Sequence, residues 1–259
     1  MDLGLTGKRA LVCASSQGLG LACATSLARE GVAVVINGRD AAKLEKAAEG
    51  IRSATAADVA FVVSDLNEEK GRDALLAACP DPDILINNNG GPPPGKLADW
   101  DRQAWLGALE TNLIAPAMFI RAVMPGMQER GFGRIVNITS AMVKTPRGPM
   151  GLSAAARTGL TALCKALSAE AAAHNVTINN LLPERIDTER QIYMGHKLAE
   201  MKGITFEQER EFQKQSIAAK RLGLPQEFGD ACAFLCGANA GFISGQNLQL
   251  DGGSYQGLI

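Results

Sequence analysis

Charge imbalance is missing from this chain: 26 Lys and Arg stand against 27 Asp and Glu, a formal net charge of −1 at pH 7. Such a surface exerts no overall pull on nucleic acid or an anionic membrane, and neither half of the chain departs from that balance. Long apolar runs are missing too, since none approaches the ~18–20 residues of a membrane span. The opening stretch MDLGLTGKRALV has no apolar core of the kind a signal peptide needs. The expectation is a cytoplasmic protein without nucleic-acid or membrane partners. The six cysteines (Cys13, Cys23, Cys79, Cys164, Cys232, Cys236) form no C-x-x-C pair and have no nearby histidine. That excludes a zinc site by spacing and leaves buried, reduced thiols that behave as small apolar residues.

What is present is core-forming. Hydrophobic residues make up 46% of the 259 and charged residues 20%, which is a folded and not a disordered composition. Short apolar runs alternate with longer helical patterns: RALVCA (9–14), VAVVIN (32–37), VAFVVS (59–64), DILINN (83–88), GRIVNITS (133–140), VTINNLL (176–182) and NLQL (247–250). Helical patterns at 20–30, 41–53, near 67–78, 101–130 and from 148 onward separate them. Runs without polar alternation predict strands buried on both faces. Strand–helix repetition then predicts an α/β domain with a seven-stranded, doubly wound parallel sheet. Residues 188–222, rich in Glu, Gln, Lys and Met, interrupt this rhythm as a helical insertion. Insertions after strand tips overhang the ligand crevice of such sheets, so the segment is expected to be a substrate lid.

The turn after the first strand reads CASSQGLGLACA. Gly18 and Gly20 let the backbone approach a pyrophosphate, whose charge the free N–H groups of the following helix attract. The second strand ends in Asn37 and Gly38, without the carboxylate that favours NAD(H), and Arg39 follows. A guanidinium suits a 2′-phosphate, so NADP(H) is expected ahead of NAD(H).

Seven segments together are similar to the classical short-chain dehydrogenase/reductases, in the 3-oxoacyl-(acyl-carrier-protein) reductase-like branch: ASSQGLG (14–20), SDL (64–66), DILINNNG (83–90), TNLIAP (111–116), GRIVNITS (133–140), NNLLPERIDT (179–188) and GQNLQLDGG (245–253). The resemblance spans nearly the whole chain and implies a single Rossmann-type domain over 1–259. It implies that Ser16, Gln17, Gly18 and Gly20 cradle the pyrophosphate and that Asp65 and Leu66 meet the adenine. Asn87 and Gly90 are then placed under the ribose, and Pro183, Ile186 and Thr188 at the nicotinamide. Asn112 matches the residue that holds a proton-relay water, and Ser140 the serine that bonds the substrate carbonyl. The resemblance also implies a homotetramer or homodimer, pairing the helices around 112–127 and 151–168.

Departures from the pattern are Ala14 for the first glycine, Asn89 for alanine and Glu184 for the glycine after Pro183. The gravest is SAAAR at 153–157, where the family has Tyr-x-x-x-Lys, thirteen residues after Ser140. A tyrosine of ordinary pKa ~10 beside a lysine gives and takes a proton, whereas an aliphatic hydroxyl is a far weaker acid. Arg157 keeps the charge without exchanging a proton. Ser140, Ser153 and Arg157 still stabilise negative charge on a carbonyl oxygen, so the catalytic set is Asn112, Ser140, Ser153 and Arg157. The proton then comes by way of water or another side chain, for which Tyr193 and His196 have suitable chemistry, with Lys144 and Glu184 nearby. Three outcomes follow: an NADP(H)-dependent reductase of a small ketone or acyl substrate, a dinucleotide-binding subunit without turnover, or a lyase or isomerase on the same scaffold.

Overall fold

The β-branched runs become strands because their side chains fill both faces of one sheet. In a computed structural model describing residues 1–258, these are β1 (Arg9–Val12), β2 (Ala33–Gly38), β3 (Val59–Val63), β4 (Ile84–Asn87), β5 (Gly133–Ile138), β6 (Val176–Pro183) and β7 (Asn247–Leu250). All pair in parallel, in the order β3-β2-β1-β4-β5-β6-β7. The helices between them are α1 (Gly18–Arg29), α2 (Ala41–Thr55), α3 (Glu69–Ala78), α4 (Arg102–Leu109), α5 (Ala115–Glu129), α6 (Gly151–Ala172), α7 (Glu189–Lys202), α8 (Phe206–Gln215) and α9 (Pro225–Cys236). The Rossmann-type sheet expected from the alternation is therefore present.

Alternate strand residues divide the core. Val12, Ile36, Ile86 and Ile138 face α1, α2 and α9, while Leu11, Val35, Leu85 and Ile135 face α3, α5 and α6. Each fully buried Leu or Ile contributes ~1.5–3 kcal/mol, so apolar burial holds both helix layers to the sheet.

Polar residues do appear inside the sheet, and they pair. Asn87 Nδ2 donates to Asn137 Oδ1 (2.9 Å), Asn137 Nδ2 to Asn180 Oδ1 (3.1 Å) and Asn180 Nδ2 to Asn247 Oδ1 (2.9 Å). These four residues are register partners on β4, β5, β6 and β7. The ladder ties four adjacent strands together, and breaking a rung leaves buried amides unsatisfied at ~1–3 kcal/mol each.

α4 and α5 are joined by a π-helical turn, Glu110–Ile114, into one continuous helix. This 28-residue span, Arg102–Glu129, is the one helix among the described residues long and apolar enough to cross a membrane by length and composition. The expectation that no segment reaches that size is corrected here. Glu110, Asn112 and Arg121 interrupt the apolar run in sequence, but the helix continues through them. One apolar face (Phe119, Ile120, Val123, Met127) packs into the core, and 39% of the apolar window is buried.

Candidate active site

Strand order reverses between β1 and β4, the place where an open parallel sheet leaves a crevice at its C-terminal edge. A cleft of about 1020 Å³ lies there. At one end Ala14 takes φ +43° and Gly18 +61°, so the turn after β1 passes twice through the left-handed region. Ala14 carries a Cβ in that conformation, which is the physical reason a glycine suits the position. A Cβ on Gly20 would stand 2.5 Å from the Ala14 carbonyl oxygen and 2.8 Å from Asn88 Nδ2. Gly20 thus lets α1 pack against the strand tips and does not itself line the cleft, whereas Ser16, Gln17 and Gly18 do. Gln17 caps α1 without a side-chain hydrogen bond, leaving the first N–H groups of the helix unclaimed by it, while Glu189 Oε2 lies 3.7 Å from where a Gly18 Cβ would stand. A pyrophosphate fits this cradle.

Arg39 and Lys43 line the far end beside Asp65 and Leu66. Arg39 is highly exposed and stands 3.7 Å from Asp65, a loose contact that a bound phosphate can replace. Asn37 is occupied elsewhere, donating to Val62 O and to both oxygens of Ser64 while accepting from Ala14 N. No carboxylate tips β2.

Besides Gly20, two expected cofactor contacts fall outside the cleft. Asn87 points into the asparagine ladder, and its neighbour Asn88 lines the cleft instead, donating to Ala14 O at 2.9 Å. Ile186 is buried, its backbone bridging Gly223, so Pro183 and Thr188 alone of that loop's expected residues reach the cleft. Gly90 lines it as expected.

Asn112 sits in the π turn, a geometry that often marks functional sites. It is buried and donates to Gly90 O and Ala108 O, both at 3.4 Å. Ser140 follows β5 and accepts from Met142 N at 3.2 Å. Ser153 and Arg157 lie one turn apart on α6 and face the same cleft as Ser140. Arg157 Nε donates to Ser153 Oγ (3.2 Å), Nη1 to Ile138 O (2.7 Å) and Thr139 O (3.1 Å), and Nη2 to Asn89 O (3.4 Å). One Nη2 hydrogen is left over. Burial, and then the Arg190 charge, pull this guanidinium down to about 10, so it stays cationic at neutral pH.

The other proton-exchange candidates are elsewhere. Tyr193 is exposed beneath Lys197, and His196 stacks on Phe206 with ring centroids 3.9 Å apart. Glu184 pairs with Arg147 at 2.9 Å and lines a separate cavity of about 280 Å³ that includes Tyr255, over whose ring Lys144 stands. None of the four lines the main cleft. All six cysteines are buried and free, and burial pushes the Cys13 and Cys164 thiols up to about 12. Among the described residues no cluster of His, Cys, Asp or Glu is arranged to hold a metal ion.

Residues 13–255 match a family model described as enoyl-(acyl carrier protein) reductase. The chain belongs to the short-chain dehydrogenase/reductase family. An oxidoreductase of Bacillus subtilis, YvaG, is 32% identical over the whole of both chains. Dehydrogenase/reductase SDR family member 4 of Oryctolagus cuniculus is 31% identical over 96% of this chain and 94% of its own. The L-sorbose reductase of Gluconobacter frateurii, solved with NADPH and L-sorbose, superposes with a TM-score of 0.93 at 27% identity, covering all of both chains. As a member of this family the chain is an oxidoreductase by descent and fold. Cleft contributors that sequence reading passed over include Lys43, Asn88, Glu189 and Arg190. Only Arg190 had a visible cue, a lone cation two residues past Thr188 at the start of the insertion.

Proposed function

We propose that this short-chain dehydrogenase/reductase reduces a carbonyl to an alcohol with NADP(H), acting on a small ketone or a 3-oxoacyl-type substrate. The observation that carries the reading is that Ser140, Ser153 and Arg157 share one cleft with the glycine turn after β1 and Arg39. When bound, the dinucleotide supplies the hydride that reaches the carbonyl carbon. The rest is done by the chain. Because Ser153 Oγ accepts from Arg157, its own hydroxyl hydrogen is free to donate to a carbonyl oxygen. Ser140 offers a second hydroxyl, and the buried guanidinium stabilises the negative charge that develops there. Neither serine nor arginine gives up a proton readily at neutral pH, so the alcohol proton is drawn from water positioned by Asn112.

The relative solved with NADPH supports NADP(H), as does the absence of a carboxylate at the tip of β2. NADPH is expected to bind more tightly than NADH, and Arg39→Ala to lose most of that preference, because a charge-assisted contact is worth ~1.5–3 kcal/mol. Titration of both cofactors by fluorescence checks this, and equal dissociation constants in the unmodified protein refute it.

We read α7 and α8, within 188–222, as a substrate lid on a single domain, and the six free thiols as those of a cytoplasmic protein. Assembly through α5 and α6 fits their outer faces, where Ala155, Ala162, Ala166 and Ile114 stay exposed while Ala154 is buried. A homotetramer or homodimer is the expected species in light scattering at micromolar concentration, and a monomer would refute it.

A second reading rests on one observation: among the described residues, no tyrosine, histidine or cysteine lines the cleft. A dinucleotide-binding subunit without turnover, or a lyase or isomerase, needs no such group for hydride chemistry. Protein whose Tm rises with NADPH, yet which oxidises none across a panel of ketones, supports that reading over the first.

A further inference from the structure

Gly91 lies between two cations. A Cβ built on it would stand 3.5 Å from Arg157 Nη2, 3.6 Å from Arg190 Nη2 and 3.7 Å from Ser153 Oγ. Three hydrogen-bond donors, two of them charged, therefore border the same side-chain-free patch of the cleft wall. They come from separate parts of the chain: α6 supplies Ser153 and Arg157, and the first turn of α7 supplies Arg190.

Neither cation is neutralised. Arg157 bonds only to carbonyl oxygens and the Ser153 hydroxyl. Arg190 has one contact, a 3.5 Å hydrogen bond to Pro92 O, and no carboxylate partner among the described residues. Most acids of the cleft are engaged at other points, and Glu189 stands on the Gly18 side with no ion pair to Arg190 among the described residues. Asp40 caps α2, Asp65 faces Arg39, and Asp99 accepts from Lys96 N. Two like charges held this close, one of them buried, raise the energy of the empty site, and an anion relieves it. Burial is the main cause of the lowered Arg157 guanidinium, and the Arg190 charge adds to it.

We propose that Arg190, with the remaining Nη2 hydrogen of Arg157, forms a carboxylate subsite beside Gly91, so that the substrate is an oxo acid. This rests on the carbonyl-reductase reading above and narrows its substrate class. Ser153 and Ser140 hold the ketone oxygen, while the carboxylate lies against the guanidinium fork, which suits planar two-point recognition. Arg190 determines specificity and takes no part in the hydride step. Gly91 matters because a side chain there would enter the space the anion needs.

The test uses the full-length protein saturated with NADPH, as wild type, Arg190→Ala and Arg190→Lys. Malonate binding is measured by calorimetry. In parallel, kcat/KM is compared for 2-oxobutanoate and acetoacetate against their methyl esters. Wild type is expected to bind malonate and to prefer at least one acid over its ester by about tenfold or more, the scale of one charged hydrogen bond. Arg190→Ala is expected to lose about tenfold in malonate affinity and to bring the acid-to-ester ratio toward one, with NADPH affinity held, and Arg190→Lys to fall between. Equal use of acids and esters by wild type overturns the subsite while leaving carbonyl reduction standing. A parallel fall in NADPH affinity in Arg190→Ala also overturns it, since Arg190 then serves the cofactor phosphates. If none of the four compounds is reduced but malonate binds and Arg190→Ala loses it, the subsite is supported and the reductase reading fails.

Discussion

Arg157→Ala is expected to lower carbonyl reduction by about 100-fold or more, the usual cost of removing a preorganised charge from a site that stabilises an oxyanion. It is also expected to weaken the fold. The side chain holds the tip of β5 through Ile138 O and Thr139 O and the loop after β4 through Asn89 O. Truncation leaves these buried carbonyls short of a donor at ~1–3 kcal/mol each, a total of several kcal/mol. For a domain of this size that lowers Tm by roughly 5–15 °C. Arg157→Lys separates the two roles, because it keeps a cation but has three donors and no planar fork. It should recover part of the activity and less of the stability. The pH profile provides an independent check. Burial lowers the guanidinium to about 10, so the charge is complete below that value and is lost as pH rises through it. Wild-type activity should hold through neutrality and decline as pH passes about 10. Full activity in a well-folded Arg157→Ala protein would remove the arginine from the chemistry.

How much of this was legible in the sequence depends on the range over which each feature is determined. The seven strands were legible because a run such as VAVVIN has one environment, buried on both sides, whatever surrounds it. The facing of Ser140, Ser153 and Arg157 was legible for a similar reason: a strand tip and one helical turn fix it locally. The π turn at Glu110–Ile114 was not, since nothing in TNLIAP distinguishes it from ordinary helix. The asparagine ladder was also invisible. Asparagine is disfavoured within strands, so Asn137 and Asn180 read as blemishes until register brings them opposite Asn87 and Asn247. Without that register, the family resemblance alone places Asn87 at the cofactor. Arg190 was missed because its significance lies in Gly91 and Arg157, which approach it only through tertiary folding.

The double variant Ser153→Tyr/Arg157→Lys is expected to raise reduction of an uncharged ketone, by about 10²-fold if a missing general acid is the main deficit, since such an acid contributes ~10²–10⁴. Ser153 lines the cleft beside Gly91, so a ring placed there extends into the cleft past the patch that Arg190 borders. A phenol of ordinary pKa ~10 beside a lysine would then take over the proton that the present site must draw from water. The same change removes the Arg157 Nη2 donor facing Gly91, so a gain on a neutral ketone should accompany a smaller gain, or a loss, on an oxo acid. The single variant Ser153→Tyr should do less than the pair, because Arg157 already bonds Ile138 O, Thr139 O and Asn89 O and loses its Nε partner. Stopped-assay measurement of NADPH consumption, with Tm and NADPH affinity as controls, reads the outcome. If the double variant folds and binds NADPH yet reduces ketones no faster, proton supply is not what limits this site. Serine and arginine at 153 and 157 would then mark a cleft adapted to different chemistry, and the reading without redox turnover would take precedence.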